Sequence, residues 1–199
     1  GTMLRPYHPE KYGQSPWKLI RKKNKIYEVV KKSTQLDHLI ISPYGLFVIE
    51  TKNHKGWVFG DVNGKVWTQV LNGENGWRAY GGHAHFTFYN PVTQNQGHME
   101  CLSKQLNIPM NYMAGMIVFT NPEAYLGNVN CNCCYTLDML YDAIISYQKP
   151  IWTPKQTVKI IQAVEKLNSS SYLLDKEHEM YVKDIKNRHE INRMLKLNR

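Results

Sequence analysis

Apolar and polar residues are arranged near the start of the chain in a way that predicts three strands. Residues 25–31 are rich in β-branched and aromatic side chains, which favour strands, and residues 35–42 follow as a second predicted strand. A Pro-Tyr-Gly turn at residues 43–45 leads into residues 46–52. This third strand is apolar over its first four positions and ends abruptly in the triplet Glu50-Thr51-Lys52. An apolar strand that ends in charge indicates a site at that end of the sheet.

A hairpin, a long loop and one more strand follow in the predicted order. Residues 56–60 and 66–71 flank Asn63-Gly64, the strongest short signal for a β-hairpin. Residues 72–89, rich in glycine, asparagine, histidine and aromatic side chains, are predicted to form a long loop, which in a compact domain is usually functional or mobile. Residues 116–120 are predicted to form the next strand.

Helix starts are marked by a capping residue followed by proline or by an apolar periodic segment. Ser15-Pro16 predicts a short basic helix that ends near Lys23, and Asn90-Pro91 predicts a longer one. The last predicted helix is highly charged, and it either packs on the domain or stands away from it as a connector. The predicted helices cover residues 15–23, 90–106, 136–147, 153–167 and 172–197.

The mixed order of these elements predicts an α/β or α+β fold rather than a sandwich or a helical bundle. The 199 residues suffice for one domain with a full core. We expect that domain over residues 1–168 and a charged C-terminal helix over residues 169–199. No apolar run approaches the roughly 20 residues that cross a bilayer. The sequence therefore predicts a cytoplasmic protein without a membrane partner.

Three of the four cysteines crowd into the segment Cys131-Asn132-Cys133-Cys134. This spacing matches neither a spread disulfide framework nor the paired CxxC ligands of structural zinc sites. We therefore expect reduced thiols here and favour them over a metal site.

The net charge of +9 is concentrated at one end of the chain. Residues 1–36 hold nine Lys/Arg against Glu10 and Glu28, which places +7 of the +9 there. Clustered positive charge suits a polyanion-binding surface, since each neutralised phosphate releases condensed counterions. A merely solvated face is the other interpretation, and charge alone leaves both open. The candidate nucleic-acid-binding residues are Lys18, Arg21, Lys22 and Lys23.

Asp37 and the Glu50-Thr51-Lys52 triplet come together if their strands pair as an antiparallel hairpin. Side chains alternate along a strand, so Glu50 and Lys52 share one face and Thr51 takes the other. Two neighbouring carboxylates repel unless one is protonated or a cation neutralises both. A hard divalent ion such as Mg²⁺ suits one or two carboxylates, waters and a substrate phosphate. An ordinary cross-strand ion pair without chemistry is the alternative.

Four sequence blocks occur in order over roughly residues 25–120. They are residues 35–53, Gly56 with Gly60, Trp67-Thr68-Gln69, and Asn90-Pro91-Val92-Thr93-Gln94-Asn95 with His98 and Leu102. Together they resemble the nuclease-related domain family, NERD, which is similar to the PD-(D/E)xK nucleases. The order of the blocks makes this resemblance more specific than any one of them.

The resemblance implies a restriction-endonuclease-like central mixed sheet flanked by helices, with extra C-terminal helices. It implies hydrolysis of phosphodiester bonds in DNA with Mg²⁺ or Mn²⁺ as cofactor. Asp37 and Glu50 would bind the metal, with the Thr51 carbonyl as a third ligand. Lys52 would be the catalytic lysine. By the same resemblance, Gln69 and Gln94 would line the site.

The chain departs from the family near its start. The family opens with a helix whose glycine-glutamate motif supplies an acid to the metal site, whereas residues 12–16 here contain no acid. Glu10 is the upstream candidate, and its position fits poorly. Two functions therefore stay open, a DNA nuclease and a catalytically inactive nucleic-acid-binding or interaction domain that retains the fold. A second copy or a protein partner bound through the C-terminal helix is a further expectation.

Overall fold

The computed structural model describes residues 2–6, 8–16, 18–22, 25–31, 35–72, 83–169 and 172–197, and these form three β-sheets and five α-helices. The strands are β1 (Thr2–Pro6), β2 (Lys18–Lys22), β3 (Lys25–Lys31), β4 (His38–Ser42), β5 (Gly45–Lys52), β6 (Gly56–Asp61), β7 (Val66–Asn72), β8 (His83–Tyr89), β9 (Met113–Phe119), β10 (Ala124–Asn130) and β11 (Cys134–Thr136). The helices are α1 (Pro9–Tyr12), α2 (Pro91–Leu106), α3 (Leu137–Ile145), α4 (Pro154–Ser169) and α5 (Tyr172–Leu197).

The chain divides into two compact units. We call residues 35–163 the core unit, and residues 1–34 together with residues 164–199 the terminal unit. The candidate metal ligands belong to the core unit and the basic candidates to the terminal unit. The domain division placed at residue 168 from the sequence stays a prediction.

The first sheet of the core unit, here called the site sheet, has the strand order β11-β9-β5-β4. Strand β4 pairs antiparallel with β5, whereas β5 with β9 and β9 with β11 pair parallel. Strand β5 is buried along its first six residues. Phe47 and Ile49 pack toward α3, while Leu46 and Val48 pack toward α2. Burial on both faces explains why this strand is continuously apolar instead of alternating.

The second sheet of the core unit has the order β10-β6-β7-β8. Strands β6, β7 and β8 pair antiparallel in sequence, and β10 joins β6 in parallel. Val58 and Trp67 are buried in this sheet and pack with Ile117 and Phe119 of β9. This apolar cluster joins the two sheets of the core unit near the charged end of β5.

Helix α2 begins at a residue that also fixes its position. The side-chain oxygen of Asn90 accepts hydrogen bonds from the backbone N–H groups of Val92 and Thr93, which caps the helix. Its Nδ2 donates to carbonyl oxygens of the β6–β7 turn, including those of Val62 and Gly64. The first turn of α2 is therefore fixed to the second sheet.

The same helix lies unusually close to the site sheet. A Cβ at Gly115 of β9 would be 2.7 Å from Met99 Sδ and 3.2 Å from Asn95 Nδ2, so a larger residue would force these side chains of α2 to shift. The buried Asn95 donates from Nδ2 to the carbonyl of Val48 at 2.8 Å. These contacts place the first turn of α2, with Gln94, beside the end of β5.

The terminal unit contains the three-stranded antiparallel sheet β1-β3-β2 and the helices α1 and α5. Glu28 of β3 is fully buried, and its carboxylate accepts hydrogen bonds from Arg5 at 2.7 Å and from Arg188 at 2.7 and 2.8 Å. Asp184 of α5 accepts from the same two arginines at 2.7 and 2.9 Å. We call these four residues the charge ring; each buried charge in it has two partners.

The structure confirms the mixed α/β fold with sheets flanked by helices. The 25–31 strand, the Asn63-Gly64 hairpin and the helix after Asn90 form as predicted, and the last helix has the predicted bounds. Among the described residues, no helix combines the length and apolar composition that a membrane span requires.

The short basic helix predicted after Ser15 is wrong. Residues 18–22 form strand β2, which pairs antiparallel with β3 along its length. Pairing with β3 outweighs the local capping signal, because β-branched and aromatic residues of β3 offer a ready strand edge. The predicted loop of residues 72–89 is partly wrong as well, since residues 83–89 form β8 and residues 73–82 lie outside the described residues.

Candidate active site

The charged end of β5 carries the residues from which the sequence predicts a site. His38 pairs with Ile49, so Asp37, one residue earlier, lies beside the position of Glu50. On the other edge of β5, Glu50 pairs with Ile117 and Lys52 with Phe119 of β9. The hairpin thus brings the two predicted carboxylates to one end of the site sheet.

The two carboxylates have different partners. Asp37 Oδ2 accepts hydrogen bonds from the backbone N–H of Thr51 at 2.9 Å and from Thr51 Oγ1 at 2.8 Å. Partial burial alone would raise the pKa of the Asp37 carboxyl. The two bonds from Thr51 and the positive charge of Lys52 outweigh that effect and hold the pKa below its usual value. Asp37 is therefore ionised at neutral pH.

Glu50 is buried, with 2% of its surface exposed, and is paired with Lys52. Lys52 Nζ donates to Glu50 Oε1 at 2.5 Å and to Gln94 Oε1 at 3.2 Å. The second carboxylate oxygen, Glu50 Oε2, lies 3.2 Å from His98 Nε2 and accepts no hydrogen bond from the described residues. A buried carboxylate oxygen without a hydrogen bond is costly, and a bound cation would offset that cost.

Gln69 does not contact the carboxylates but orders the segment that follows Lys52. Its Nε2 donates to the carbonyl of Lys55 at 2.8 Å, and its Oε1 lies 3.1 Å from His54 Nδ1. Because a carbonyl can only accept, the Gln69 amide must present its oxygen to the ring. His54 Nδ1 then carries the proton, and Nε2 of the neutral ring is an acceptor.

His54 is a residue that sequence reasoning missed. Its ring stacks on Phe88 at 4.2 Å between centroids. Burial, together with the nearby positive charge of Lys52, lowers the pKa of His54 despite the bond to Gln69. The ring is therefore neutral at physiological pH and can accept a proton. A single histidine in a loop has no periodic or spacing signal that would have revealed this.

Comparison with known proteins shows the family of the chain. The family model of the nuclease-related domain, NERD, matches residues 6–120, more than half of the chain. The chain belongs to the NERD family. It is also 26% identical over 163 residues to an uncharacterized protein of Bacillus anthracis, a match that spans 79% of this chain and 70% of that protein. No solved structure matches.

The NERD match confirms the resemblance found over residues 25–120 and extends it to residue 6. The function of the chain is accordingly nuclease-related. Contacts join Asp37 to Thr51, and Lys52 to both Glu50 and Gln94. The assignment of these residues to metal binding and catalysis stays a prediction.

His98 is a second residue that this NERD chain adds to the site. It occurs in the block that carries the family resemblance, but the sequence gives it no role. In the structure it is buried on α2, one turn after Gln94, and its Nε2 faces Glu50 Oε2. The spacing of four residues on one helix could have indicated that Gln94 and His98 lie on the same helix face, toward the end of β5.

The basic candidates do not share one face. In β2, Lys18 and Lys22 point to one side and Arg21 to the other, since side chains alternate along a strand. Lys25 of β3 pairs with Lys22, so its side chain lies on the same side as those of Lys18 and Lys22. Glu28 meets α5 on the opposite side of this sheet. We call Lys18, Lys22 and Lys25, all exposed, the basic face. Lys23 lies outside the described residues.

The prediction of reduced thiols is wrong for two of the four cysteines. Cys131 and Cys133 form a disulfide, with Cα atoms 5.3 Å apart, a separation within the normal range for such bonds. Cys101 and Cys134 carry free thiols. Burial raises the pKa of Cys134 to about 12, so this thiol stays protonated at neutral pH.

Proposed function

We propose that this NERD protein is a Mg²⁺- or Mn²⁺-dependent phosphodiesterase that hydrolyses DNA at the end of β5. The observation that carries the proposal is the buried Glu50 carboxylate, whose Oε2 accepts no hydrogen bond from the described residues, beside Lys52 and the ionised Asp37. A buried anion of this kind is expensive in a purely structural role. Membership of a nuclease-related family supports the same conclusion.

The residues at this end of the sheet fit a hard divalent cation. Glu50 Oε2 and the oxygen of Asp37 that Thr51 does not hold would bind it, with the Thr51 carbonyl as a third ligand. All are oxygen donors, which Mg²⁺ and Mn²⁺ prefer. When bound, the ion would supply Lewis-acid stabilisation and lower the pKa of a water.

The remaining side chains act on the phosphate and on protons. Lys52 is held by Glu50 and Gln94, so its ammonium is fixed in position to offset charge that builds on the scissile phosphate. His54, neutral and with Nε2 as acceptor, is a candidate to take the proton of the attacking water. Gln69 serves as the positioning residue that sets the tautomer of His54.

Cleavage is expected to require added Mg²⁺ or Mn²⁺ and to stop with a chelator, because Asp37 and Glu50 bring two carboxylates to the end of β5 that a divalent ion would neutralise. The assay uses linear, circular and single-stranded DNA, with RNA in parallel, and measures initial rates with and without EDTA. Activity that persists in excess chelator would remove the metal from the mechanism.

A catalytically inactive binding domain is the second candidate, because the upstream acid of the family has no clear counterpart. Glu10 lies exposed in α1 and is 3.3 Å from His8, as an ordinary surface pair would be. DNA binding without any cleavage across the four substrates and both metals would favour this function. Cleavage by the purified chain would exclude it.

Replacing Lys18, Lys22 and Lys25 with alanine is expected to weaken binding to unrelated DNA sequences by similar factors. Each lost phosphate contact lowers the slope of log affinity against log salt by about 0.9, so the loss of three should change it by about 2.7. Fluorescence anisotropy over a salt series measures this slope. The control is Lys104, Lys155 and Lys159, three exposed lysines of the core unit, changed to alanine together. An unaltered slope in the first variant would show that the basic face is only solvated.

A further inference from the structure

Three sulfur atoms meet at the start of β11, in a segment that the proposed nuclease chemistry does not use. The Sγ atoms of Cys131, Cys133 and Cys134 all lie within 4.8 Å of one another. Each residue is half-buried, so the cluster is shielded but still reachable from solvent. A donor set made of sulfur alone favours soft ions over Mg²⁺ or Mn²⁺.

The disulfide within this cluster contributes little to the stability of the fold. It joins Cys131 to Cys133 across a single residue, Asn132. A disulfide stabilises a fold mainly by restricting the unfolded chain, and that effect shrinks as the closed loop becomes shorter. Joining residues two apart restricts the unfolded chain very little. A reversible bond accounts for this pair better than a permanent one.

We propose that Cys131, Cys133 and Cys134 bind one thiophilic d¹⁰ metal ion, Zn²⁺ or Cu(I), once the Cys131–Cys133 disulfide is reduced. A dithiol reductant supplies two electrons and two protons, the S–S bond breaks, two thiols form, and the reductant becomes a cyclic disulfide. The ion then replaces the thiol protons, which pass to solvent, and the three thiolates become its ligands.

The backbone already places the three sulfurs for this role. Thiolates at about 2.3 Å from a zinc ion lie about 3.8 Å from one another, so sulfurs within 4.8 Å reach that spacing by side-chain rotation. The N–H of Cys133 donates to Cys131 Sγ at 3.2 Å, a contact that favours negative charge on sulfur. The N–H of Ile117 donates to the carbonyl of Cys133 at 2.9 Å and ties the segment to β9.

The surroundings also suit a structural ion. Cys133 and Cys134 pack against the apolar cluster of Val58, Trp67 and Ile117. Apolar walls exclude water from thiolate–metal bonds and strengthen them. Cys134 of β11 pairs with Ile117 of β9, which pairs with Glu50 of β5. An ion here would therefore fix β11, which is two strands away from the candidate active site. The proposal does not depend on that site being a nuclease.

The test is metal binding by the full chain before and after reduction. The protein is reduced with dithiothreitol and desalted without oxygen. It is then titrated with Zn²⁺ against a chromophoric zinc chelator and, separately, with Cu(I) against a chromophoric Cu(I) chelator. The variants are Cys131→Ser, Cys134→Ser and the matched control Cys101→Ser, whose thiol on α2 is outside the cluster. Circular dichroism checks that each variant is folded.

One ion per reduced chain is expected, with affinity at least about 100-fold above that of the oxidised chain. Cys101→Ser should bind the ion with the affinity of the wild type. Cys131→Ser should lose about 10-fold or more in affinity, and this variant still tests the proposal if Cys134→Ser misfolds. Saturation by Zn²⁺ or by Cu(I) identifies the ion. Reduced protein that binds neither ion more tightly than oxidised protein would overturn the proposal, as would unchanged affinity in Cys131→Ser. Ions held by Asp37 and Glu50 would be insensitive to all three substitutions.

Discussion

Glu50→Gln is expected to lower kcat/KM for metal-dependent DNA cleavage on the order of 10²-fold or more, while the protein remains folded. The substitution keeps the shape of the side chain but removes the negative charge of Oε2, the buried oxygen that we assign to the metal. Lys52 Nζ keeps two oxygen acceptors, the new amide and Gln94 Oε1, so its position is retained. Initial rates over a Mg²⁺ series would show whether the loss is in metal affinity, in turnover or in both.

Glu100→Gln is the matched control for this variant. Glu100 lies on α2, exposed, and accepts a hydrogen bond from Gln96 at 3.3 Å. The Glu100→Gln variant should cleave DNA at the wild-type rate with the same Mg²⁺ dependence. If Glu50→Gln cleaves as fast as Glu100→Gln, Glu50 has no role in the reaction and the assignment of the site to the end of β5 is wrong.

Removal of Lys52 is a less decisive experiment, for a reason that only the structure shows. From the sequence, the position of Lys52 at the end of a strand indicates an exposed side chain that folding does not need. In the structure its side chain is 17% exposed and neutralises the buried Glu50. Lys52→Ala would leave that carboxylate buried without a counter-ion, which costs stability as well as activity.

The core of the fold could be predicted from the sequence because its signals are local. The apolar run of β5, the Asn63-Gly64 hairpin and the Asn90-Pro91 helix start each specify one element without reference to the rest of the chain. The same holds for the meeting of Asp37 with the end of β5, which needs only one tight turn. Strand β2 could not be predicted, because its conformation depends on the edge that β3 presents.

The polar contacts at the end of β5 could be predicted less completely than the strand itself. Alternation along β5 places Glu50 and Lys52 on one face, but it does not reveal that Asp37 accepts two hydrogen bonds from Thr51. The ring of His54 is oriented by a hydrogen bond to Gln69, which lies in the second sheet of the core unit. The tautomer of that ring depends on a hydrogen bond to Lys55, a contact that no periodic pattern encodes. Long-range polar contacts of this kind become visible only in three dimensions.

The charge ring of the terminal unit gives the largest expected effect on stability. Glu28→Gln removes the fully buried charge and points an amide N–H₂ group toward Arg5 and Arg188, which are themselves 20% and 11% exposed. Removing one partner of a buried ion pair lowers the free energy of unfolding by about 3–5 kcal/mol. We expect a loss of about 3 kcal/mol here, because Asp184 still pairs with both arginines. Urea unfolding measures the loss, and amide hydrogen exchange should show it in β1, β3 and α5.

A double-mutant cycle separates the ring from a simple packing defect. Adding Arg188→Met to Glu28→Gln removes one of the charges left behind, so the double variant should be destabilised by less than the sum of the two single variants. Glu190→Gln, an exposed glutamate two residues further along α5, serves as the control and should leave the unfolding midpoint unchanged. A loss below about 1 kcal/mol in Glu28→Gln, or strictly additive effects in the cycle, would contradict a coupled ring. Charge pairing would then contribute little to the attachment of α5 to β3.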